Sequence, residues 1–151
     1  MAFQKQTMIQ RIQSVYLLLA SIITVVGIWV FGLWIDENGS EYLAMDAFSG
    51  ENTMLMAITC MFFVSALLTL VAIFQFKDRK KQFVIGRLAI LDNLILLGFL
   101  IYVTQNLSGE IIVSEKGIGL LIPIINVLLV TLANKAIKKD EELVKSVDRL
   151  R

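Results

Sequence analysis

The feature that most constrains this chain is the near absence of charge from four long stretches. They are residues 12–35, 52–76, 88–109 and 117–134. Asp92 is the only charged residue within them. A helix rises about 1.5 Å per residue, and the hydrocarbon core of a bilayer is about 30 Å thick. Each stretch is long enough, or nearly so, to cross that core as a helix, so the sequence predicts a polytopic membrane protein.

Composition agrees with this interpretation and leaves no room for a separate soluble domain. Hydrophobic residues make up 57% of the 151 residues, and the mean hydropathy is +0.75. We expect one integral-membrane domain with an all-α fold, because lipid offers no hydrogen-bond partners to an open backbone. Short connections make successive spans antiparallel, which predicts a four-helix transmembrane bundle. The predicted spans are about 13–35, 53–76, 88–106 and 117–134, followed by a C-terminal helix over about 135–151.

The charged segments between the spans predict the orientation. The loop after the first span holds five acidic residues and no basic one, and it is long enough for a turn of interfacial helix around residues 42–48. Placing both termini in the cytoplasm puts thirteen of the fourteen basic residues there, as the positive-inside rule favours. Lys5 and Arg11 precede an apolar run of roughly twenty residues, which is too long for a cleaved secretory signal and indicates an uncleaved signal anchor.

The residue types present argue against catalysis and against a bound metal or cofactor. The chain has no histidine, which removes the commonest general base and the usual transition-metal ligand. Its single cysteine, Cys60, lies within a span, where an unreactive thiol is expected. The sequence contains no glycine-rich phosphate loop and no pair of carboxylates within one span. We therefore expect no enzyme, no catalytic residue, no cofactor and no metal site.

Polar residues inside the spans are the first candidates for function, because hydrocarbon disfavours them. Counting along the helices places several of them at one depth, in the half of the membrane nearer the termini. This layer comprises Ser21 or Thr24, Thr69, Asp92, Asn93 and Asn126. One hypothesis is a proton or ion site centred on Asp92. The alternative is a set of interhelical hydrogen bonds, with Asp92 paired to Arg11 or to a lysine of the second loop.

Two other features each have a functional and a structural interpretation. Pro123 either makes the fourth span a discontinuous, substrate-binding helix or lies harmlessly near a helix start, and Gly117 and Gly119 before it allow close backbone approach. The basic run 77–81 either binds phospholipid or nucleic acid, or only fixes the topology. We favour the structural interpretation of both and expect no nucleic-acid partner.

The C-terminal segment carries more pattern than the topology requires. Its apolar residues recur at helical spacing among mixed charges. The stripe consists of Ile137, Val144, Val147 and Leu150, with Arg149 beside it. Glu141 and Lys145 have the spacing of a helical ion pair. Such a helix suits docking to another protein, and the alternative is a solvated helix held by its own ion pairs.

Both ends of the chain resemble a known family. The two stretches are MIQRIQSVYLL at residues 8–18 and LANKAIKKDEELVKSVDRLR at residues 132–151. With the basic second loop and the proline and asparagine of the fourth span, they resemble four-span membrane proteins of the Bacteroidota that share the domain of unknown function 4293. The resemblance spans essentially the whole chain and implies an inner-membrane protein without an assigned activity or site. Family members typically begin at the residue matching Met8, which raises an extension or an upstream start as interpretations of residues 1–7 and leaves Met1 and Met8 both open as the native start.

We therefore expect a non-enzymatic accessory or structural subunit of a larger inner-membrane complex. Its partners would be the lipid bilayer and other membrane proteins, bound through the cytoplasmic tail or the spans. A small oligomeric transporter or channel that uses the polar layer around Asp92 is the first alternative. A membrane sensor whose acidic first loop binds cations is the second.

Overall fold

Four long helices account for most of the protein. The computed structural model describes residues 2–35, 41–49, 53–106 and 115–149. The helices are α1 (Ala2–Val30), α2 (Thr53–Phe74), α3 (Arg79–Asn106) and α4 (Ile122–Arg149). Each contains a stretch long and apolar enough to cross a membrane, which confirms the four predicted spans. The chain is a multi-pass membrane protein.

Three of the helices extend well beyond the apolar stretches that predicted them. α1 begins at Ala2, α3 begins at Arg79 and takes up most of the basic second loop, and α4 continues to Arg149. Lysine, arginine and glutamate are good helix formers, so charge ends a membrane span without ending the helix. The predicted helical extension after the fourth span is confirmed as a helix.

Pro123 does not divide the fourth span. A short 3-10 helix, Ile118–Leu121, leads directly into α4, and Pro123 is the second residue of that helix. Proline is tolerated there because the N–H groups of the first turn have no acceptor within the helix. The structural interpretation of Pro123 is therefore correct, and the discontinuous helix is wrong.

The helices form a ring in which each packs against its neighbours in sequence, and α4 closes the ring against α1. Residues 75–78 make a tight turn between α2 and α3. Such a short connection makes those two helices antiparallel. The start of α1, this turn and the end of α4 thus share one end of the bundle, which we call the terminal end.

A small antiparallel sheet caps the opposite end, which we call the sheet end. Its strands are β1 (Gly32–Ile35), β2 (Glu41–Leu43) and β3 (Glu115–Lys116), in the order β2-β1-β3. A second 3-10 helix, Ala44–Phe48, follows β2 and confirms the helical turn expected in the first loop. A Cβ at Gly117 would collide with the Gly32 carbonyl oxygen, so the close backbone approach expected there is confirmed.

The core alternates between apolar and polar layers along the bundle axis. Near the sheet end, large side chains such as Ile28, Phe62 and Leu96 are buried together. Nearer the terminal end, a second apolar layer consists mainly of small residues. We call it the alanine layer, and it contains Leu17, Ala20, Ala72, Ala89, Val130 and Ala133. Large apolar side chains such as Leu67 and Leu128 face outward, as hydrocarbon surroundings require.

Candidate functional site

A hydrogen-bonded polar network joins all four helices between the two apolar layers. Asn126 on α4 donates from Nδ2 to Thr24 Oγ1 on α1 and, at 3.4 Å, to Asn93 Oδ1 on α3. Asn93 Nδ2 donates in turn to Ser65 Oγ on α2 at 2.7 Å. All four side chains are buried. The predicted layer thus exists around Asn93, Asn126 and Thr24, and Ser65 is its fourth member.

The local geometry of each helix holds these groups in place. Asn93 Nδ2 also donates to the Ala89 carbonyl, one turn back on its own helix, at 2.8 Å. Thr24 donates to the Ala20 carbonyl at 2.8 Å, which leaves its oxygen free to accept from Asn126. Oδ1 of Asn126 is the one amide atom of the network that has no partner among the described residues. The network is therefore nearly saturated by the protein itself.

Ser21 and Thr69 are buried but do not link helices. Ser21 donates to the Leu18 carbonyl at 2.9 Å, within α1. Thr69 donates to the Ser65 and Ala66 carbonyls, within α2, at 3.0 and 2.9 Å. Both hydroxyls lie near the predicted depth, yet each satisfies its own hydrogen-bonding demand locally.

Asp92 lies beside the network and takes no part in it. Its side chain is half-buried, and Oδ2 is enclosed without a hydrogen-bond partner among the described residues. It is seven residues from both Ile85 and Phe99, so the three share one flank of α3. Arg87 stacks on the ring of Phe83 at 4.5 Å and does not pair with Asp92. The described part of the chain shows no ion pair to Asp92, and the Arg11 side chain lies outside it.

A second polar cluster at the terminal end was not foreseen. Gln13 on α1, Gln82 on α3, and Asn134 and Asp140 on α4 have only 0 to 6% of their surface exposed. Arg79 Nη2 lies 3.1 Å from Asp140 Oδ2, an ion-pair distance. We call these five residues the terminal cluster. On α3 and α4 its members continue the stripe that each helix buries in the bundle.

Most of the terminal cluster has no hydrogen-bond partner among the described residues. The unbonded atoms are Gln13 Nε2, both amide atoms of Gln82, Asn134 Oδ1 and both carboxylate oxygens of Asp140. Arg79 is therefore close enough to neutralise Asp140 but is not aligned for a hydrogen bond. A buried polar group without a partner costs about 1–3 kcal/mol. Among the described residues the cluster therefore lacks the mutual hydrogen bonds that hold the polar network together.

The two polar regions are separated by the alanine layer. Asn126 and Asn134 are eight residues apart on α4, which is about 12 Å along the helix. Ala133 and Val130 lie between them and are fully buried, as are Leu17 and Ala89 on the neighbouring helices. The buried hydroxyls of Ser21 and Thr69 lie at the depth of this layer, and each donates to a carbonyl of its own helix.

The proposed docking stripe of the tail requires a correction. Ile137 is fully buried in the bundle, because α4 still packs against its neighbours at that point, so it cannot contact a partner. Val144 is partly exposed. The side chains of Val147 and Arg149, and the whole of Leu150, lie outside the described residues.

Charge on the tail is partly paired within the helix. The predicted pair between Lys145 and Glu141 is present at 2.8 Å. The Lys145 ammonium donates a hydrogen bond to Glu141 and lowers the pKa of that carboxyl. No group of three metal-binding side chains occurs in the part of the chain that the structure describes.

Comparison with known families identifies a match over nearly the whole chain. The sequence profile of the family described as a domain of unknown function, DUF4293, matches residues 9–150. The chain belongs to this family. Searches of curated proteins and of solved structures found no match. The DUF4293 assignment confirms the resemblance carried by the two terminal stretches and brings no activity with it.

Proposed function

We propose that this DUF4293 protein is a non-enzymatic accessory or structural subunit of a larger complex in the bacterial inner membrane, with both termini in the cytoplasm. The observation that carries the proposal is the polar network. Its four side chains lie on four different helices and bond to one another. Buried polar groups used in this way fix the packing of a bundle and leave little capacity to bind a substrate.

The layered core argues against the alternative of a small transporter. A path for ions or protons needs polar groups in sequence across the membrane, usually with ionisable partners. Here the alanine layer separates the network from the terminal cluster, and Asp92 lies outside both. Ion or proton flux in liposomes can be compared between the wild type and Asp92→Asn. Flux with the wild type and none with the variant would support the transporter instead.

The sensor alternative receives little support from the described part of the first loop. Asp46 accepts a hydrogen bond from the Leu43 backbone N–H at 2.8 Å and so caps the 3-10 helix. A carboxylate used as a cap has fewer lone pairs to offer a cation. A saturable spectroscopic change during titration with calcium or magnesium would support the sensor instead.

The surface proposed to contact a partner is the end of α4 beyond Asp140. Leu143 is 37% exposed there and Val144 is partly exposed, among the charged side chains of Glu142 and Lys145. These residues project past the α2–α3 turn, since Arg79 at the start of α3 already pairs with Asp140. An apolar pair framed by charges suits a helix that docks on another protein.

Co-purification from native membranes in a mild detergent tests the proposal. We expect a complex of defined stoichiometry that is lost with Leu143→Glu/Val144→Glu. The matched control is Leu128→Ala/Leu132→Ala, which changes two exposed side chains of α4 within the apolar span. A monodisperse single species with no reproducible partner would count against the subunit role. Equal loss in both double variants would count against docking through the end of α4.

A further inference from the structure

A groove beside the α2–α3 turn combines positive charge with an apolar floor. It encloses about 350 Å³ and is lined by Gln75, Lys80, Lys81, Val84 and Ile85. The two lysines come from the first turn of α3, and the two aliphatic residues come from the next turn. The groove thus lies where charged residues give way to the apolar span.

The charge at the mouth of the groove is only partly neutralised. Lys81 pairs with Asp78 at 3.2 Å. Lys80 is exposed and forms no ion pair with any described residue. Glu141 is near enough to feel the charge of Lys80, but its closest cation is Lys145 at 2.8 Å. The groove therefore presents at least one free ammonium group.

An apolar track leads away from these lysines along the outer face of α3. Val84, Leu88 and Leu91 follow one another at spacings of four and three residues, which places them on one face of the helix. Each is about half exposed, between 48 and 55%. Phe74, the last residue of α2, and Phe76 in the turn are exposed near the same end of the bundle, as aromatic side chains at a membrane interface commonly are.

We propose that this groove is a binding site for an anionic phospholipid, which reverses the purely topological interpretation favoured from the sequence for the basic run 77–81. The phosphate would be held by Lys80 and Lys81, with the Gln75 amide as a further donor, and one acyl chain would lie along Val84, Leu88 and Leu91. Charge complementarity selects an anionic headgroup, and the apolar track selects a lipid over free phosphate. Basic pockets between membrane helices bind such headgroups, and attraction to anionic lipid is worth about 1 kcal/mol per basic residue near the membrane surface. The site does not depend on the subunit role proposed above.

Binding can be measured on the full chain in mild detergent by native mass spectrometry with added phosphatidylglycerol. Lys80→Gln/Lys81→Gln should weaken binding roughly fivefold per lysine. Lys135→Gln/Lys138→Gln is the matched control, because it removes two exposed lysines from α4 near the same end of the bundle. It should leave the affinity within about twofold, and Lys80→Arg should retain it.

Three outcomes would overturn the site. Equal weakening in the two double variants would mean that lipid responds only to overall charge. Equal binding of phosphatidylcholine would remove the role of the anionic headgroup. Displacement of phosphatidylglycerol by glycerol phosphate at matched concentration would identify the free phosphate as the ligand. Size-exclusion profiles and thermal unfolding of each variant confirm that it is folded.

Discussion

Asn126 is the residue on which the polar network converges. Its amide nitrogen supplies the hydrogen bonds to α1 and α3, and Asn93 extends the connection to α2. Without Asn126, Thr24 Oγ1 and Asn93 Oδ1 would each lose a donor while remaining buried. The stabilisation that the polar network contributes therefore depends mainly on the Asn126 amide.

Asn126→Leu should lower the free energy of unfolding by about 1–2 kcal/mol, since interhelical hydrogen bonds in membranes are worth up to roughly that much. Unfolding in mixed micelles would measure it. Asn106→Leu is a matched control, because Asn106 is exposed and donates only to the Tyr102 carbonyl of its own helix, at 3.0 Å. Equal stability of the two variants would show that the network does not stabilise the bundle.

Gln82 provides the opposite case, a buried amide whose two polar atoms have no partner among the described residues. Gln82→Met keeps the length of the side chain and removes both polar atoms. The free energy of unfolding should stay the same or rise by up to about 2 kcal/mol, because an unpaired buried group is lost. The same unfolding assay applies, with Gln75→Met in the turn as the control. A loss as large as that expected for Asn126→Leu would mean that water satisfies this amide in the folded protein.

An ion pair between partly exposed Arg79 and fully buried Asp140 joins α3 and α4 at the terminal end. Arg79→Met should destabilise the protein by about 3 kcal/mol, because it leaves the buried carboxylate of Asp140 without a countercharge. Arg79→Met/Asp140→Leu should recover most of that loss. The coupling energy from the complete double-mutant cycle measures the pair. Lys145→Met removes an exposed partner of Glu141 and should change stability little, so similar effects at both sites would contradict the assignment.

Glycine has opposite roles at the sheet end and on the outer face of α3. Gly117→Ala should be destabilising, because its Cβ would strike the Gly32 carbonyl oxygen and disturb the pairing of β1 with β3. Gly98→Ala should be neutral or stabilising by up to about 1 kcal/mol, since nothing lies within 4 Å and alanine favours the helix. The thermal unfolding temperature should therefore fall for Gly117→Ala and stay the same or rise for Gly98→Ala. A stabilising effect of Gly117→Ala would mean that β3 does not lie beside β1.

The sequence predicted the depth of the polar residues in the membrane better than the helix face on which each one lies. Counting along the helices correctly grouped Asn93 with Asn126, yet it selected Thr69 on α2 where the network uses Ser65, one turn away. Depth follows from position, but the face depends on how the neighbouring helix packs. Gln82 and Asp140 were missed because they lie among charged residues, where exposure to water is the ordinary expectation. They are buried because α3 and α4 keep packing beyond the apolar spans.

At the scale of the whole molecule, the proposed orientation puts the terminal end in the cytoplasm and the sheet end outside. In a Cys60→Ala background, Ser49→Cys should react with a membrane-impermeant maleimide added to intact spheroplasts. Ser146→Cys should react only after permeabilisation, since both serines are exposed but lie at opposite ends. The reverse labelling pattern would invert the topology and, with it, the proposed cytoplasmic tail.

The sheet also sets an order of events during synthesis. β1 leaves the ribosome directly after the first helix, but Trp34 pairs with Lys116, which is made only after the second and third helices. The sheet can be completed only after α3 has been inserted into the membrane. The loop that follows α3 must also have reached the side of the membrane on which β1 lies. Formation of the complete sheet is therefore a late step in biogenesis. It occurs in a chain whose loops have all reached the correct side of the membrane.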